Sequence, residues 1–357
     1  MSAHTNAASV EFRNVTKKYG VVKAVNDVSF TVEAGSLVTL LGPSGCGKTT
    51  TLRMIAGLEQ STNGQIFIGD QDVTNLSVMD RDVSMVFQSY ALFPHMSVIE
   101  NVAYGLREQG YKKKEAYEKA EEGMEMVGLT GFGQRMPNQL SGGQQQRVAV
   151  ARALVLKPKV LLFDEPLSNL DAKLRRKVRE EIRELQQKLG ITSIYVTHDQ
   201  EEAMAVSDKI IVMNDSVISQ HGTPHALYEQ PKNLFIADFI GDATLVDGKF
   251  ISANESHVKL NLDTLEVELP HRNLPNLEQK LDIAIRPHAI SVHTQEISNS
   301  IKGKVLKSTY LGGHVEYELE TALGVLFAVD HQAVSAIPAT TMVSVCIAQQ
   351  GIALVGG

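Results

Sequence analysis

The stretch "GPSGCGKTT" places a lysine and two threonines directly after a run of small residues. It fits the pattern G-x-x-x-x-G-K-[ST] in full, with Lys48 and Thr49 in the last two positions. In that pattern backbone N–H groups surround phosphate oxygens, the lysine adds a positive charge, and the threonine hydroxyl ligates Mg²⁺. A glycine-rich turn with a chance lysine is disfavoured, because an apolar strand precedes the stretch and a helical pattern follows it. We therefore predict a nucleotide site formed by Gly42, Pro43, Ser44, Gly45, Cys46, Gly47, Lys48, Thr49 and Thr50.

Two carboxylates, Asp164 and Glu165, follow the apolar run "VLLF". Beside a nucleotide site, a carboxylate at the end of a buried strand holds Mg²⁺ directly or through water, so Asp164 joins Thr49 as a metal candidate. Glu165 is placed to polarise an attacking water and is the candidate catalytic base. The alternative is a pair of solvated acids that end a strand.

Two further polar residues are candidates for the same chemistry. His198 ends the run "IYVTH" and could contact the terminal phosphate and hold the water in line, although a lone histidine there is more often structural. Gln88 by itself is typical of a polar loop residue. Beside a nucleotide site it could ligate the metal and sense the terminal phosphate.

A second anion-binding helix start is predicted in "LSGGQQQR". Ser141 can cap the helix, and Gln144 can reach back to complete a capping box. Gly142 and Gly143 leave the N–H groups of the first turn bare, where the helix dipole adds partial positive charge.

The elements that must position these residues alternate between strands and helices. Apolar strand runs are "GSLVTLLGPSG", "KVLLFDEP", "ITSIYVTHD" and "DKIIVMND", a pattern typical of an α/β domain. A one-sided helical stripe lies between the second and third runs, and Gly190 supplies its C-terminal stop. The members of this stripe are Leu174, Val178, Ile182, Leu185 and Leu189.

After Gly241 the pattern changes to short alternating strands, as in "HVEYELE", which places Val315, Tyr317 and Leu319 on one face. We predict a flexible tail over 1–8, an α/β P-loop ATPase domain over 9–241 with a helical subdomain over about 89–157, and a small all-β, oligonucleotide/oligosaccharide-binding-like domain over 242–357.

Bulk composition narrows the class of protein. The formal net charge of −7 argues against a general nucleic-acid binder, so no nucleic-acid partner is expected. Cys46 lies in the glycine loop, where a disulfide would block ligand access, and free thiols indicate a reducing compartment. No apolar run approaches the roughly 18 residues that span a bilayer. Action at a membrane would therefore require docking onto a protein that spans it.

The motifs resemble those of the ATPase subunits of ATP-binding-cassette (ABC) transporters. Along residues 10–240 stand, in order, Tyr19 in "KKYG", the glycine loop, Gln88, "LSGGQ", "LLFDEP", "SNLD" and His198.

The resemblance implies a role for each motif. Tyr19 stacks on adenine, with a core aromatic as the alternative, and Gln88 is the lid-loop glutamine. Glu165 is the catalytic base and His198 the switch histidine. The residues that act on ATP held by a second subunit are Ser141, Gly142, Gly143, Gln144 and Asp171.

The resemblance also implies partners and a location. The stretch "SYALFPHMSVIENV" would expose Tyr90, Leu92, Phe93 and Pro94 in a groove for a helix of a membrane subunit, with a minor hydrophobic plug as the alternative. The expected assembly is a homodimer that binds ATP and Mg²⁺, docks on integral membrane permease subunits at the cytoplasmic face of the bacterial inner membrane, and serves a periplasmic solute-binding protein indirectly.

The C-terminal domain resembles the regulatory modules of import ATPases. "IAIRPHAISV" is similar to their "IRPE" strand, with His288 in place of the acid, and Ser216 stands where a turn glycine is usual. Among importers, the chain is most similar to ferric-iron import ATPases. The 2-aminoethylphosphonate and polyamine systems follow closely. A soluble non-transport ABC ATPase is disfavoured by the single cassette and the lack of a heptad run.

Overall fold

The computed structural model describes residues 7–270 and 280–356. The chain divides into two compact units, Met1–Thr223 and Pro224–Gly357. This division falls before the predicted boundary after Gly241, because residues 224–241 pack with the second unit. Most of the predicted tail, residues 1–6, lies outside the described residues.

The first unit holds the predicted strands and helices around the glycine loop. Its strands are β1 Val10–Tyr19, β2 Val22–Val32, β3 Leu37–Leu41, β4 Asn63–Ile68, β5 Gln71–Asp72, β6 Val83–Val86, β7 Val160–Asp164, β8 Thr192–Val196, β9 Lys209–Asn214 and β10 Val217–Gly222. Its helices are α1 Lys48–Ala56, α2 Val98–Glu108, α3 Lys113–Met126, α4 Gly142–Leu154, α5 Ala172–Leu189 and α6 Gln200–Val206. Short 3₁₀ turns lie at Val78–Asp80 and Pro137–Gln139.

The site is positioned by a six-stranded sheet with the order β10-β9-β3-β8-β7-β6. Strands β9, β3, β8, β7 and β6 run parallel, and only their neighbour β10 runs antiparallel. Every residue of β3, β7 and β8 is buried, as expected for parallel strands covered on both faces, and most of these residues are apolar. Because parallel strands end at one edge, the residues that follow β3, β6, β7 and β8 meet there.

The predicted helical stripe forms α5 and packs its apolar face inward. Val178 and Ile182 are buried, and the other members pack against the same core. Gly190 ends the helix in the left-handed conformation, with φ 61°. A separate antiparallel sheet, β2-β1-β4-β5, completes the sheets of this unit.

Helices α2, α3 and α4 share their own apolar cluster. Helix α3 carries most of its charged residues on the solvent side and buries only Ala116, Ala120, Gly123 and Met124. Among the helices of the described residues, none combines the length and the hydropathy that crossing a bilayer requires.

The second unit begins with two short helices and continues as strands. The helices are α7 Pro224–Glu229 and α8 Leu234–Phe239. The strands are β11 Thr244–Ala253, β12 His257–Leu262, β13 Leu265–Pro270, β14 Lys280–Ile285, β15 Ile290–His293, β16 Ile301–Tyr310, β17 Val315–Thr321, β18 Gly324–Asp330, β19 Met342–Ile347 and β20 Ile352–Leu354. They form two five-stranded sheets, β13-β12-β11-β14-β20 and β15-β19-β16-β17-β18, that share one core.

The alternating strand prediction is confirmed in β17, where Val315, Tyr317 and Leu319 are buried. The prediction that residues 283–292 form one "IRPE"-like strand is wrong. A 3₁₀ turn over Pro287–Ala289 separates β14 from β15, and the two strands belong to different sheets. Pro287 explains the break, because its ring fixes φ and it has no N–H to donate to a strand neighbour.

Candidate nucleotide site

The glycine loop between β3 and α1 passes so close to other backbone that side chains do not fit. An added Cβ would lie 2.2 Å from the carbonyl oxygen of Met213 at Gly42, and 2.4 Å from that of Ala24 at Gly47. Both glycines also have positive φ, 154° and 104°. The loop is therefore shaped by glycine alone at these two positions.

Lys48 opens α1 and is buried, with 6% of its surface exposed. Its Nζ donates to the carbonyl oxygens of Gly42 at 2.7 Å and Pro43 at 2.8 Å. The free thiol of Cys46 lies 3.8 Å from the same nitrogen. Because these contacts are to neutral groups, the full positive charge remains to attract an anion such as phosphate.

Thr49 and Asp164 come together although 115 residues separate them in the chain. The Thr49 hydroxyl donates to Asp164 Oδ1 at 3.5 Å. Burial raises the pKa of the Asp164 carboxyl, the charge of Glu165 raises it further, and Arg53 opposes the shift. Two hard oxygen donors of this kind suit Mg²⁺.

Gln88, which follows β6, is the third predicted metal residue, and water and phosphate would complete the coordination sphere of Mg²⁺. Among the described residues, no group of three or more His, Cys, Asp and Glu side chains could hold a metal ion. This arrangement fits Mg²⁺, which keeps several waters and binds through one or two carboxylates plus substrate phosphates.

Glu165 stands at the centre of the predicted catalytic residues. Gln88 Nε2 donates to its Oε2 at 3.4 Å, and His198 Nδ1 lies 3.3 Å from the same oxygen. The Glu165 backbone has φ 44°, and its N–H donates to the carbonyl of Val196 at 3.1 Å. The ends of β6, β7 and β8 thus bring Gln88, Glu165 and His198 to one point.

A residue of the "SNLD" motif that is not among the predicted site residues holds the backbone around Gln88. The Asn169 side chain, in "SNLD", donates to the carbonyl of Gln88 at 3.0 Å. The side-chain carboxylate of Asp171, from the same motif, caps α5 by accepting from the N–H of Leu174 at 3.0 Å.

The second anion site has the predicted local structure. Ser141 and Gln144 form a capping box at the start of α4, with the Ser141 N–H donating to Gln144 Oε1 at 2.9 Å. An added Cβ would lie 3.1 Å from Leu170 at Gly142, and 3.1 Å from Leu174 at Gly143. The glycines therefore let the start of α4 approach the start of α5 closely.

Tyr19 is not a core aromatic, since 48% of its surface is exposed. Lys17 Nζ lies 4.8 Å from the ring centroid. The ring is accessible for stacking, as the resemblance to ABC ATPases implies.

The prediction that Tyr90 is exposed is wrong. Of the four residues, Tyr90 is 6% exposed, Leu92 and Phe93 are half-buried, and only Pro94 is exposed. Tyr90 and Ala91 both adopt positive φ, 61° and 49°, which turns the tyrosine ring into the core shared with α4 and β7.

Arg152 of α4 holds this turn, and sequence reasoning missed it. Its guanidinium donates to the carbonyls of Tyr90 at 2.8 Å and Ala91 at 2.7 Å. Burial lowers the pKa of Arg152. An arginine in an amphipathic helix carries no signal of such a distant partner.

Comparison with known proteins adds two family matches. Residues 25–168 match the ABC transporter family, and residues 283–354 match the TOBE domain.

Two curated relatives are similar over most of their length. A protein of Rhizobium etli named Fe(3+) ions import ATP-binding protein FbpC is 57% identical over 346 residues, covering 97% of both chains. A protein of the same name from Vibrio cholerae is 53% identical over 307 residues, covering 86% of both.

One solved structure is a dimeric ATP-binding cassette in a post-hydrolysis state, bound to ADP and Pi. It is 33% identical and covers 60% of this chain and 98% of its own, with a TM-score of 0.54. Together with the full-length relatives and the geometry around Glu165, these matches show that the chain belongs to the ATP-binding subunits of ABC importers.

Proposed function

We propose that this protein hydrolyses ATP in a homodimer to drive ferric-iron uptake through permease subunits at the cytoplasmic face of a bacterial inner membrane. The observation that carries the proposal is the convergence of Gln88 and His198 on one carboxylate oxygen of Glu165. The name of the Rhizobium etli relative supports ferric iron as the transported ion. A periplasmic binding protein would deliver that ion to the permease.

The residues would divide the chemistry of phosphoryl transfer among them. Lys48 would exchange its contacts with the carbonyls of Gly42 and Pro43 for phosphate oxygens of ATP. Glu165 would accept a proton from the attacking water, which His198 and Gln88 would hold in line. Positioning and charge neutralisation would supply most of the rate, as in other phosphoryl transfers.

Thr49, Asp164 and Gln88 would hold Mg²⁺, which neutralises developing charge on the phosphates when bound. The raised pKa of Asp164 fits this role, because a buried carboxylate without a cation beside it is destabilised in its charged form. Tyr19 would stack on the adenine ring.

The start of α4 would complete the site of a second copy. The hydrogen bonds of the Ser141–Gln144 capping box lie within the first turn of α4 and leave the N–H groups of Gly142 and Gly143 free of side chains. A γ-phosphate held by the other copy would meet these N–H groups and the helix dipole. Asp171, at the start of α5, would lie at the same interface.

The test replaces the proposed base with an isostere. Glu165→Gln should lower kcat for ATP by at least about a hundredfold, the usual share of a general base. ATP binding should persist and should accumulate an ATP-bound dimer on a sizing column. The matched control is Glu201→Gln, an exposed position in the first turn of α6. If Glu165→Gln hydrolyses ATP at the wild-type rate, Glu165 is not the catalytic base.

The transported ion is tested in cells that lack the gene. Wild-type protein should restore uptake of labelled ferric iron, and Glu165→Gln should not. Restored uptake of a polyamine or of 2-aminoethylphosphonate, with iron uptake unchanged, would reject iron while leaving the ATPase role in place.

A further inference from the structure

A buried carboxylate lies behind the switch histidine. The Glu202 side chain is 5% exposed, and its Oε2 accepts from the Thr197 hydroxyl at 2.8 Å and the Tyr195 hydroxyl at 3.2 Å. The mechanism proposed above gives Glu202 no role. A charged group buried this deeply is costly unless several partners hold it in place.

Both chain neighbours of His198 are tied to Glu202. Thr197 donates its hydroxyl to the Glu202 carboxylate and accepts from the N–H of Asp199 at 3.0 Å. The Asp199 carboxylate in turn accepts from the N–H of Glu202 at 3.0 Å. The backbone of His198 is therefore fixed on both sides, while its imidazole, with the side chain 61% exposed, extends to Glu165.

Arg175 of α5 contacts both the carboxylates around His198 and the loop 168–171 that precedes α5. Its Nη1 lies 3.4 Å from Asp199 Oδ2, and its Nε lies 3.8 Å from Glu202 Oε1. Its Nη2 donates to the carbonyl of Leu170 at 3.1 Å. One planar guanidinium thus contacts two carboxylates beside His198 and the backbone next to Asp171.

We infer that Arg175 is a positioning residue. Together with Glu202, it fixes the position of His198 relative to residues 168–171, the loop that ends at Asp171. The inference rests on the ATPase function proposed above, in which His198 acts on ATP of its own chain and Asp171 faces the other copy. Movement of Asp171 when two copies close would then reach His198 through the Leu170 carbonyl and the guanidinium. Hydrolysis would respond to closure through this contact.

The first test separates the rate from binding. Arg175→Gln should lower kcat for ATP about tenfold while KM changes less than about twofold, because the lost contact acts on the catalytic geometry and not on ATP itself. Arg175→Lys should retain part of the rate, since its single ammonium keeps the charge but cannot contact Leu170, Asp199 and Glu202 together.

The second test asks whether Arg175 acts through His198. Adding Arg175→Gln to His198→Ala should slow turnover no further than His198→Ala alone, whereas independent sites would multiply their effects. Combining Arg175→Gln with Glu202→Gln should likewise cost no more than the larger single change. The matched control is Arg183→Gln on the same helix, which breaks the pair with Asp208 and should leave kcat unchanged.

Three results would overturn the inference. These are an unchanged kcat in Arg175→Gln, a fall in kcat that tracks a fall in Tm, and multiplicative effects with His198→Ala. Wild-type protein and Glu165→Gln run in the same assay separate this failure from failure of the proposed function, because only the latter leaves Glu165→Gln as active as wild type.

Discussion

Asp164 is a carboxyl group whose charged form is destabilised in the ligand-free protein. Its surface is 9% exposed, and burial is the largest cause of its raised pKa. The group therefore binds its proton more tightly in the folded chain than in the unfolded chain. Stability falls as the pH rises from the ordinary aspartate value, about 4, through the raised pKa of the folded state.

Asp164→Asn should relieve this cost, because the amide oxygen can still accept from Thr49. We expect the ligand-free variant to melt about 2 °C higher than wild type at pH 7. The difference should vanish below about pH 4, where the wild-type carboxyl is protonated in both states.

Mg²⁺ and ATP should reverse the order of the two proteins, because wild type alone retains the anionic metal ligand. Melting curves over pH 3.5–8, with and without Mg²⁺ and ATP, check both expectations. A variant that is less stable than wild type at pH 7 without ligand would contradict this account.

The convergence of the candidate site residues was predictable, but their conformations were not. Apolar runs that end in polar groups indicate where parallel strands stop, so the meeting of Asp164, Glu165 and His198 at one sheet edge follows from the sequence. The left-handed backbone of Glu165 is held by its N–H bond to Val196 on a neighbouring strand, and the loop that brings Lys48 to Gly42 is confined by the backbone of Met213. Residue spacing carries no information about such contacts.

Helices α2 and α4 both begin with a capping box, so the loss of a cap can be compared between the two helices. Ser97 and Glu100 form a capping box at α2, and Ser141 and Gln144 form one at α4. Ser97→Ala and Ser141→Ala should each lower the free energy of unfolding by about 1 kcal/mol, the usual cost of losing a cap.

Only Ser141→Ala should also slow ATP turnover, because the start of α4 is proposed to meet the phosphate of a second copy. Denaturant unfolding and steady-state ATPase assays on both variants check the prediction. Equal losses of activity in the two variants would mean that the cap at α4 acts through stability alone.

Element types followed well from the sequence where a single period dominates, as in the stripe of α5 and the alternation of β17. Prediction failed where one short segment serves two sheets. In residues 283–292 the apolar residues flank Arg286, Pro287 and His288, and Pro287 is the one sequence signal that β14 and β15 are separate strands. The turn at Pro287 decides it.

At the scale of the whole chain, the existence of a separate β unit was predictable, but its starting point was not. The boundary depends on Arg286, which is 1% exposed and donates to the carbonyls of Tyr228, Ala237 and Ile240. These bonds tie α7 and α8 to the β strands that follow them. An arginine that serves backbone carbonyls more than forty residues away leaves no pattern in the sequence.

If two copies of the chain share each ATP site, a mixture of two inactive variants should regain ATPase activity. Lys48→Ala removes the cation of the glycine loop, and Ser141→Arg blocks the start of α4. Each homodimer should be inactive, because each of its sites lacks one half.

In a mixed dimer, one site combines the intact Lys48 of one chain with the intact Ser141 of the other, and the second site carries both changes. Equal mixing makes half of the dimers mixed, so exchange should restore roughly a quarter of the wild-type sites if sites act independently. A titration of one variant into the other, read as ATPase rate after subunit exchange, measures this recovery.

A control mixture of Lys48→Ala with Glu165→Gln separates the alternatives. Both changes lie on the glycine-loop side of the site, so each site of that mixed dimer still lacks a residue of its own chain, and no activity should return. Recovery with Ser141→Arg but not with Glu165→Gln requires that Lys48 and Ser141 of different chains act on one ATP. If neither mixture recovers ATPase activity, the start of α4 lies outside the catalytic site of the partner copy.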